Sequence, residues 1–519
     1  MAAISYSLSD NLRSPILSPP SKNKTETEKI CIDDMFQKYC GEFGKWQLKH
    51  FILTSLAWAL QAFHSMVMIF TEREPDWVCV SGMECSPGGS VCSMSPESWE
   101  WIGGKAASTV TEWNLICGDK YKVGLVQAVF FAGCTIGAGV FGHLSDSYLG
   151  RKRSLTVVCA LSAIFGCLTT LSPNYWTYLL LRLLTGFSTG GVGLCAFVLA
   201  TEPVGPSKRG TAGLSTFYFF SGSIAILSGI AYIFQTWRTL YMVTSIPSLL
   251  YIIFVLPFIS ESPRWYLIQG RIKEATTLMA TIASFNGNHL PEGVVLALDE
   301  EVTNSKNETN DLDFVDAQGG SIVDVIRHPA TRIRLILAVA LNFLSSVMWY
   351  GLSLNVTNLE TNLYMNVLLN AVSELPAFML MAVLSYRFGR KPLTIGTMWF
   401  SGFFCLMGSL MSNIGVWKVI KMVCGVLGIF GIAGTYNLLF IYTTELFPTV
   451  VRNTALGSTA QAVQMGAILV PFVVVLGGWL PFGVFAVCGI LGGMIAFYLP
   501  ETLNMPLYDT FKGLEAGLA

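Results

Sequence analysis

Charge is what this sequence has least of. Only 13% of its 519 residues are Asp, Glu, Lys or Arg, whereas 52% are hydrophobic; a soluble domain carries about 25% charged residues. Lipid solvates apolar side chains and penalises ions, so the imbalance points to a chain that crosses a membrane repeatedly. Neither sign is in surplus. A formal net charge of −1 leaves no basic excess to neutralise phosphates, which argues against nucleic acid as a partner. Histidine is scarce as well: His50, His64, His143, His289 and His328 are the full set. Four of them fall at span ends or in loops, so no His converges with Asp or Asn at one depth, as a multispan acyltransferase would need. There is no P-loop, no GxGxxG opening a helix after a strand, and no C-x-x-C or H-E-x-x-H spacing. Neither enzyme activity, nor a cofactor, nor a metal is expected. The N-terminal stretch MAAISYSLSDNLRSPILSPPSKNKTETEK lacks the apolar core of a cleaved leader and reads as a polar, disordered tail.

What is present in quantity is apolar run length. About 20 apolar residues cross the hydrocarbon core as a helix, and twelve such stretches can be counted: 50–70, 122–142, 154–172, 176–200, 211–234, 239–259, 333–354, 363–385, 393–413, 417–443, 454–477 and 479–499. The expected fold is an all-α membrane protein of twelve helices in two six-helix bundles, 46–259 and 333–499. A tail over 1–45 precedes them, a helix and loop over 260–332 joins them, and a tail over 500–519 follows. Arg151, Lys152, Arg153, Lys208, Arg209, Arg264, Arg390, Lys391 and Arg452 cluster after even-numbered spans, and the loops after spans three, seven and eleven carry no Lys or Arg. By the positive-inside rule both termini are cytoplasmic. The loop 71–121 then faces an oxidising compartment, where Cys79, Cys85, Cys92 and Cys117 are disulfide candidates with three possible pairings. Asn355 opens a glycosylation sequon on that side, close to the membrane.

The halves repeat each other. Gly389-Arg390-Lys391 stands 239 residues after Gly150-Arg151-Lys152, and Lys421 the same distance after Arg182; Glu445 follows Glu202 by 243 and Glu501 follows Glu261 by 240. A duplicated bundle rocking about a midplane site is the architecture of secondary transporters. Asp146, Arg151, Arg182, Glu202, Arg209, Glu261, Arg390, Glu445, Arg452 and Glu501 are read as a cytoplasmic gate, acids of one bundle pairing with bases of the other. Arg182 and Lys421 are given a pairing role.

These motifs resemble the major facilitator superfamily, whose loop after the second span has the form GxxxDxxGRK/R. Here the stretch is Gly142 to Lys152, with one extra residue between Asp146 and Gly150, and the second copy has Tyr386 where an acid is common. TVTEWNLIC, SESPRW, ELPAF and TELFPTVVRN are similar to the organic cation/carnitine transporter family, most of all its plant members, over residues 45 to 510. The resemblance implies a transporter working by alternating access. It also implies an acid at Glu374 and aromatic cavity walls at Trp58, Phe217, Phe220 and Trp349.

A carboxylate at mid-span is expensive and is a functional hypothesis by default. Glu374, followed by Pro376, marks a polar notch in span eight, either holding a cationic substrate or carrying the coupling proton. A structural bond to Asn342 or Ser345 is the alternative. Tyr350 extends the aromatic set, since ring faces bind quaternary ammonium. His64 has the intrinsic pKa for proton coupling. Gln61, Asn342, Asn437 and Gln464 complete the candidate site. Gln464 is a neutral amide where relatives carry Asp or Arg, which favours a zwitterion or weakly charged amine. The expected protein is a monomer in the lipid bilayer of the vacuole or plasma membrane, carrying an organic cation or carnitine with H+ as coupling ion. A sugar carrier of the same fold is the alternative.

Overall fold

A computed structural model describes residues 28–80, 91–95, 97–147, 149–291, 294–297, 322–359, 361–503 and 505. The disordered tail expected over residues 1–27, Cys85, the acidic loop 304–320 and the final residues 506–519 lie outside these. Among the described residues, twelve helices are long and apolar enough to span a membrane. They are α1 Lys45–Thr71, in three consecutive helical pieces, α2 Tyr121–Asp146, α3 Arg151–Thr169, α4 Tyr175–Thr201, α5 Pro206–Ile233, α6 Trp237–Phe254, α7 Pro329–Leu354, α8 Leu363–Phe388, α9 Arg390–Leu410, α10 Val416–Leu446, α11 Thr449–Val475 and α12 Leu480–Phe497.

The packing repeats as the sequence does. α1 packs on α4, α5 and α6, and α7 packs on α10, α11 and α12. The halves meet along two interfaces, α2 with α11 and α5 with α8, which the repeat exchanges with one another. Within the first bundle, α2 and α4 approach closely because each offers glycines where the other's backbone passes. A Cβ at Gly133 would fall 2.3 Å from the Leu183 carbonyl oxygen, and one at Gly137 1.8 Å from that of Phe187. Gly186 and Gly190 of α4 answer, each 2.1 Å from the carbonyls of Phe130 and Cys134. This is the small-xxx-small solution to helix contact in lipid, where burial from water cannot drive association.

The 71–121 loop forms a short hairpin, Trp77–Cys79 antiparallel to Trp99–Trp101. Cys92 is bonded to Cys117, and Cys79 is also in a disulfide. The TVTEW motif is a one-turn helix, Thr109–Trp113. Its Glu112 accepts hydrogen bonds from Trp237 Nε1 at 2.7 Å and from Arg238, fixing the loop to the start of α6. Asn355 is buried, 3% exposed, and its Oδ1 accepts from Asn358, so the sequon presents no free side chain.

The tail expected as far as residue 45 is structured from Glu28 onward. Strand Glu28–Ile30 pairs in parallel with Val294–Leu296, and Ile30, Ile32, Met35 and Phe36 are buried against Met279 and Ile282 of the helix Ile272–Phe285. The apolar residues are too few to register in a span-length window, yet together they close a small core of their own. A Gly137→Leu chain should lose at least about 1–3 kcal/mol through overpacking against the Phe187 carbonyl, read as a lower melting temperature in detergent. Gly139→Ala, which meets nothing within 4 Å, should melt as the parent does.

Candidate functional site

Glu374 lies near the middle of α8 and is 2% exposed. Its carboxylate is held from both bundles. Ser221 of α5 donates its hydroxyl to Oε2, and Trp349 of α7 donates Nε1–H to Oε1 at 2.9 Å. Hydrogen bonds to an ionised acceptor offset part of the cost of burying it. The expected partners are not used: Asn342 donates to its own helix at Ala338, and Ser345 donates to Met398 sulfur. α8 continues through Pro376, whose missing N–H leaves the Val372 carbonyl without its helical donor.

A cluster of aromatic rings from both halves adjoins this acid through Trp349. Trp58 packs on Phe217 and Phe220 at 5.6 and 6.2 Å between centroids. Phe220 meets Trp349 at 5.8 Å, Trp349 meets Tyr350 at 4.7 Å, and Tyr436 stacks on Trp349 at 5.7 Å. All five aromatic candidates therefore converge. Ser221, Tyr436 and Phe378, which packs on Phe217, are additions that sequence reading missed. Ser221 adjoins the Phe217–Phe220 run and Tyr436 adjoins Asn437, but nothing in one sequence says which face of each helix turns inward.

The wet pocket expected here is small. A void of about 10 Å³ lies beside Glu374, bordered by Met66, Ile69, Ile224 and Asn370, room for about one water molecule. His64 is not part of it. Its Nε2 lies 3.5 Å from Ser248 Oγ of α6, inside the first bundle. Gln61 packs against Gly193 of α4. Buried polar atoms without a partner remain at Trp58 Nε1, Gln61 Oε1 and Gln464 Oε1. Asn437 is buried, and no hydrogen bond joins Asn437 or Gln464 to Glu374.

The charges read as a gate between bundles pair inside each bundle instead. Arg151 binds Glu202 at 3.0 Å and Asp146 at 2.8 Å. Arg390 binds Glu445 at 2.9 Å, and Thr502 donates to the same acid. Glu261 caps α3, accepting from the backbone N–H of Arg151 at 2.9 Å and of Lys152. Glu501 caps α9 through Arg390 at 2.9 Å and Lys391. A carboxylate at a helix N-terminus meets both orphan donors and the dipole. Gly150 (φ +79°) and Gly389 (φ +90°) make room, since a Cβ there would strike the capping acid. Burial pushes the Glu261 carboxyl up, partly opposed by three backbone donors. For Glu501, burial also acts upward, but four backbone donors outweigh it and hold it below the usual range.

Arg209 departs from its expected place in the gate. It binds Asp33 of the N-terminal segment at 2.7 Å, and Arg264 shares that acid. Arg452 does not bind Glu445, and its Nε and Nη2 have no partner. Arg182 does not belong to the charged end at all. It lies two turns into α4 at the opposite end, fully buried, with its guanidinium 4.2 Å from the Phe130 ring and donating to the His64 carbonyl. Lys421, its counterpart, donates to Asn413 Oδ1 at 2.9 Å.

Two pseudo-equivalent six-helix bundles meeting at a buried acid define a transporter of the major facilitator fold. The E. coli xylose transporter, in a partially occluded inward-open conformation, superimposes with a TM-score of 0.63 at 14% identity over 89% of this chain and 100% of that one. The model for sugar (and other) transporters matches residues 91–511. The chain belongs to that family and, within it, to the organic cation/carnitine transporters. Organic cation/carnitine transporter 4 of Arabidopsis thaliana is 65% identical over 98% of this chain and 95% of its own length. Organic cation/carnitine transporter 2 of the same plant is 32% identical over 93% and 94%. The organic cation transporter protein of Drosophila melanogaster is 30% identical over 92% and 93%.

The Arg151 side chain is 7% exposed and Glu202 16%, against 72% for Asp146. Glu202→Gln should therefore cost about 1.5–3 kcal/mol, the worth of the charged hydrogen bonds lost to a buried guanidinium that keeps Asp146 and the Ser145 carbonyl, and Asp146→Asn no more than about 1 kcal/mol. Chemical unfolding of the two variants in detergent reads the difference.

Proposed function

We propose that this protein carries an organic cation or carnitine across a membrane by alternating access, with Glu374 as the residue that meets the cationic centre or the coupling proton. The observation that carries this reading is a mid-depth carboxylate bonded from both bundles and joined through Trp349 to a cluster of aromatic side chains. Separating the bundles removes the Ser221 bond and uncovers the faces of Trp58, Phe220, Trp349 and Tyr436, and aromatic faces beside a carboxylate bind quaternary ammonium. The unpartnered amide and indole atoms of Gln61, Gln464 and Trp58 supply polar contacts for the remainder of the solute. The names of the relatives support the substrate class. The neutral Gln464, with Glu374 as the acid of the cluster, favours a zwitterion such as carnitine over an anion. The Lys and Arg distribution supports a topology with both termini cytoplasmic; the vacuolar or plasma membrane is the membrane of this reading, and H+ its coupling ion.

Uptake of labelled carnitine and of tetraethylammonium into proteoliposomes, with and without a pH gradient, tests it. Glu374→Gln should lower kcat/KM roughly 10- to 100-fold, the worth of a hydrogen bond to a charged group, and flatten the dependence on the gradient. Unchanged kinetics and pH dependence would reduce Glu374 to a structural tie between bundles, and sugar uptake with neither cation transported would overturn the substrate class.

A further inference from the structure

At the end of the bundle interface that carries the disulfide loop lies a second, larger cavity of about 490 Å³, within the size range of small-molecule sites. The ends of α1, α2, α7 and α11 wall it. Ile69 borders both this cavity and the void beside Glu374. Glu72, Arg73 and Asp76 line it. Glu72 is 5% exposed; Tyr178 donates to its Oε1 at 2.5 Å, and Gln127 and the Arg182 guanidinium also act on its carboxylate. The Arg73 guanidinium lies 5.7 Å from the Tyr364 ring; among the described residues no carboxylate forms an ion pair with Arg73 and no base forms one with Asp76. The remaining two charges on the wall, Lys120 and Glu74, bind each other at 3.1 Å. Arg182, buried behind Tyr178, does not line the cavity.

A cavity of this size, with Arg73 and Asp76 outside any ion pair among the described residues and Glu72 balanced in part by Arg182, matches a small solute of both signs. We propose that it is an outer binding station for a zwitterion bearing a cationic nitrogen and a carboxylate on one short chain. Arg73 takes the carboxylate through its planar fork, and Glu72 with Asp76 takes the cation. The choice of ligand rests on the carnitine reading above. The station gives a zwitterion a contact that a simple cation lacks.

The test uses the full chain in proteoliposomes carrying Leu476→Cys, since Leu476 lines the cavity and is 67% exposed. The probe is the rate of modification by a sulfonatoethyl methanethiosulfonate, against the parent chain as background. Carnitine should slow modification several-fold and tetraethylammonium should do so less. Adding Arg73→Gln should raise the carnitine concentration for half-protection about tenfold, as for a lost charged hydrogen bond, and leave the tetraethylammonium effect in place. Arg73→Lys, which keeps the charge, should recover part of the loss and serves where the Gln variant does not accumulate. Adding Glu374→Gln should leave protection unchanged. Absence of carnitine protection, no shift with Arg73→Gln, or protection abolished by Glu374→Gln would each overturn the station. Normal uptake by Glu374→Gln with protection intact would remove the central-acid reading alone.

Discussion

A carboxylate buried at half depth and bonded to both bundles constrains much of the rest. Its two donors come from opposite halves, Ser221 from α5 and Trp349 from α7. α5 and α8 form one of the two interfaces that the repeat relates. Opening the chain along that interface breaks the Ser221 bond, and whatever enters must replace it, since an unsatisfied carboxylate in this setting is strongly disfavoured. Solvation of the acid and separation of the halves are therefore one event, which is the linkage a carrier needs between occupancy and conformation.

The charged end serves the opposite purpose. Glu261 and Glu501 reach back to the first turns of α3 and α9, tying the third helix of each bundle to the segment after its sixth. Arg151 and Arg390 add α4 and α10. Every one of these links stays within its own half. Together with the glycine contact of α2 and α4 they make each bundle a stiff unit and leave the rearrangement to the seam between them, where contacts are aromatic and free of ion pairs among the described residues.

Much of this was legible because lipid simplifies the rules. Span number follows from apolar run length, and the duplicated Gly-Arg-Lys and acid positions fix which helix corresponds to which. Glu374 stood out because a mid-span acid is rare. The unread part depended on helix rotation. Sequence separates neither the inward face of α10, which brings Tyr436, nor that of α5, which brings Ser221, from the lipid face. The pairing of the charged end differs from expectation for a related reason: recurrence matches Arg151 and Glu202 with Arg390 and Glu445 but does not show whether partners lie within a copy or across copies. Glu261 was read as a charge, whereas its geometry is that of a helix cap. The short N-terminal strand was lost because three residues carry no periodicity that a span-length reading detects.

That strand sets an order of events during synthesis. Glu28–Ile30 finds its partner at Val294–Leu296, so the pairing waits until the ribosome has made the whole first half of the protein. At about 5–20 residues per second, the wait is on the order of 10–50 s. Through that interval Ile30, Ile32, Met35 and Phe36 wait for Met279 and Ile282, and the segment finds its place only after the six membrane helices that follow it have been made.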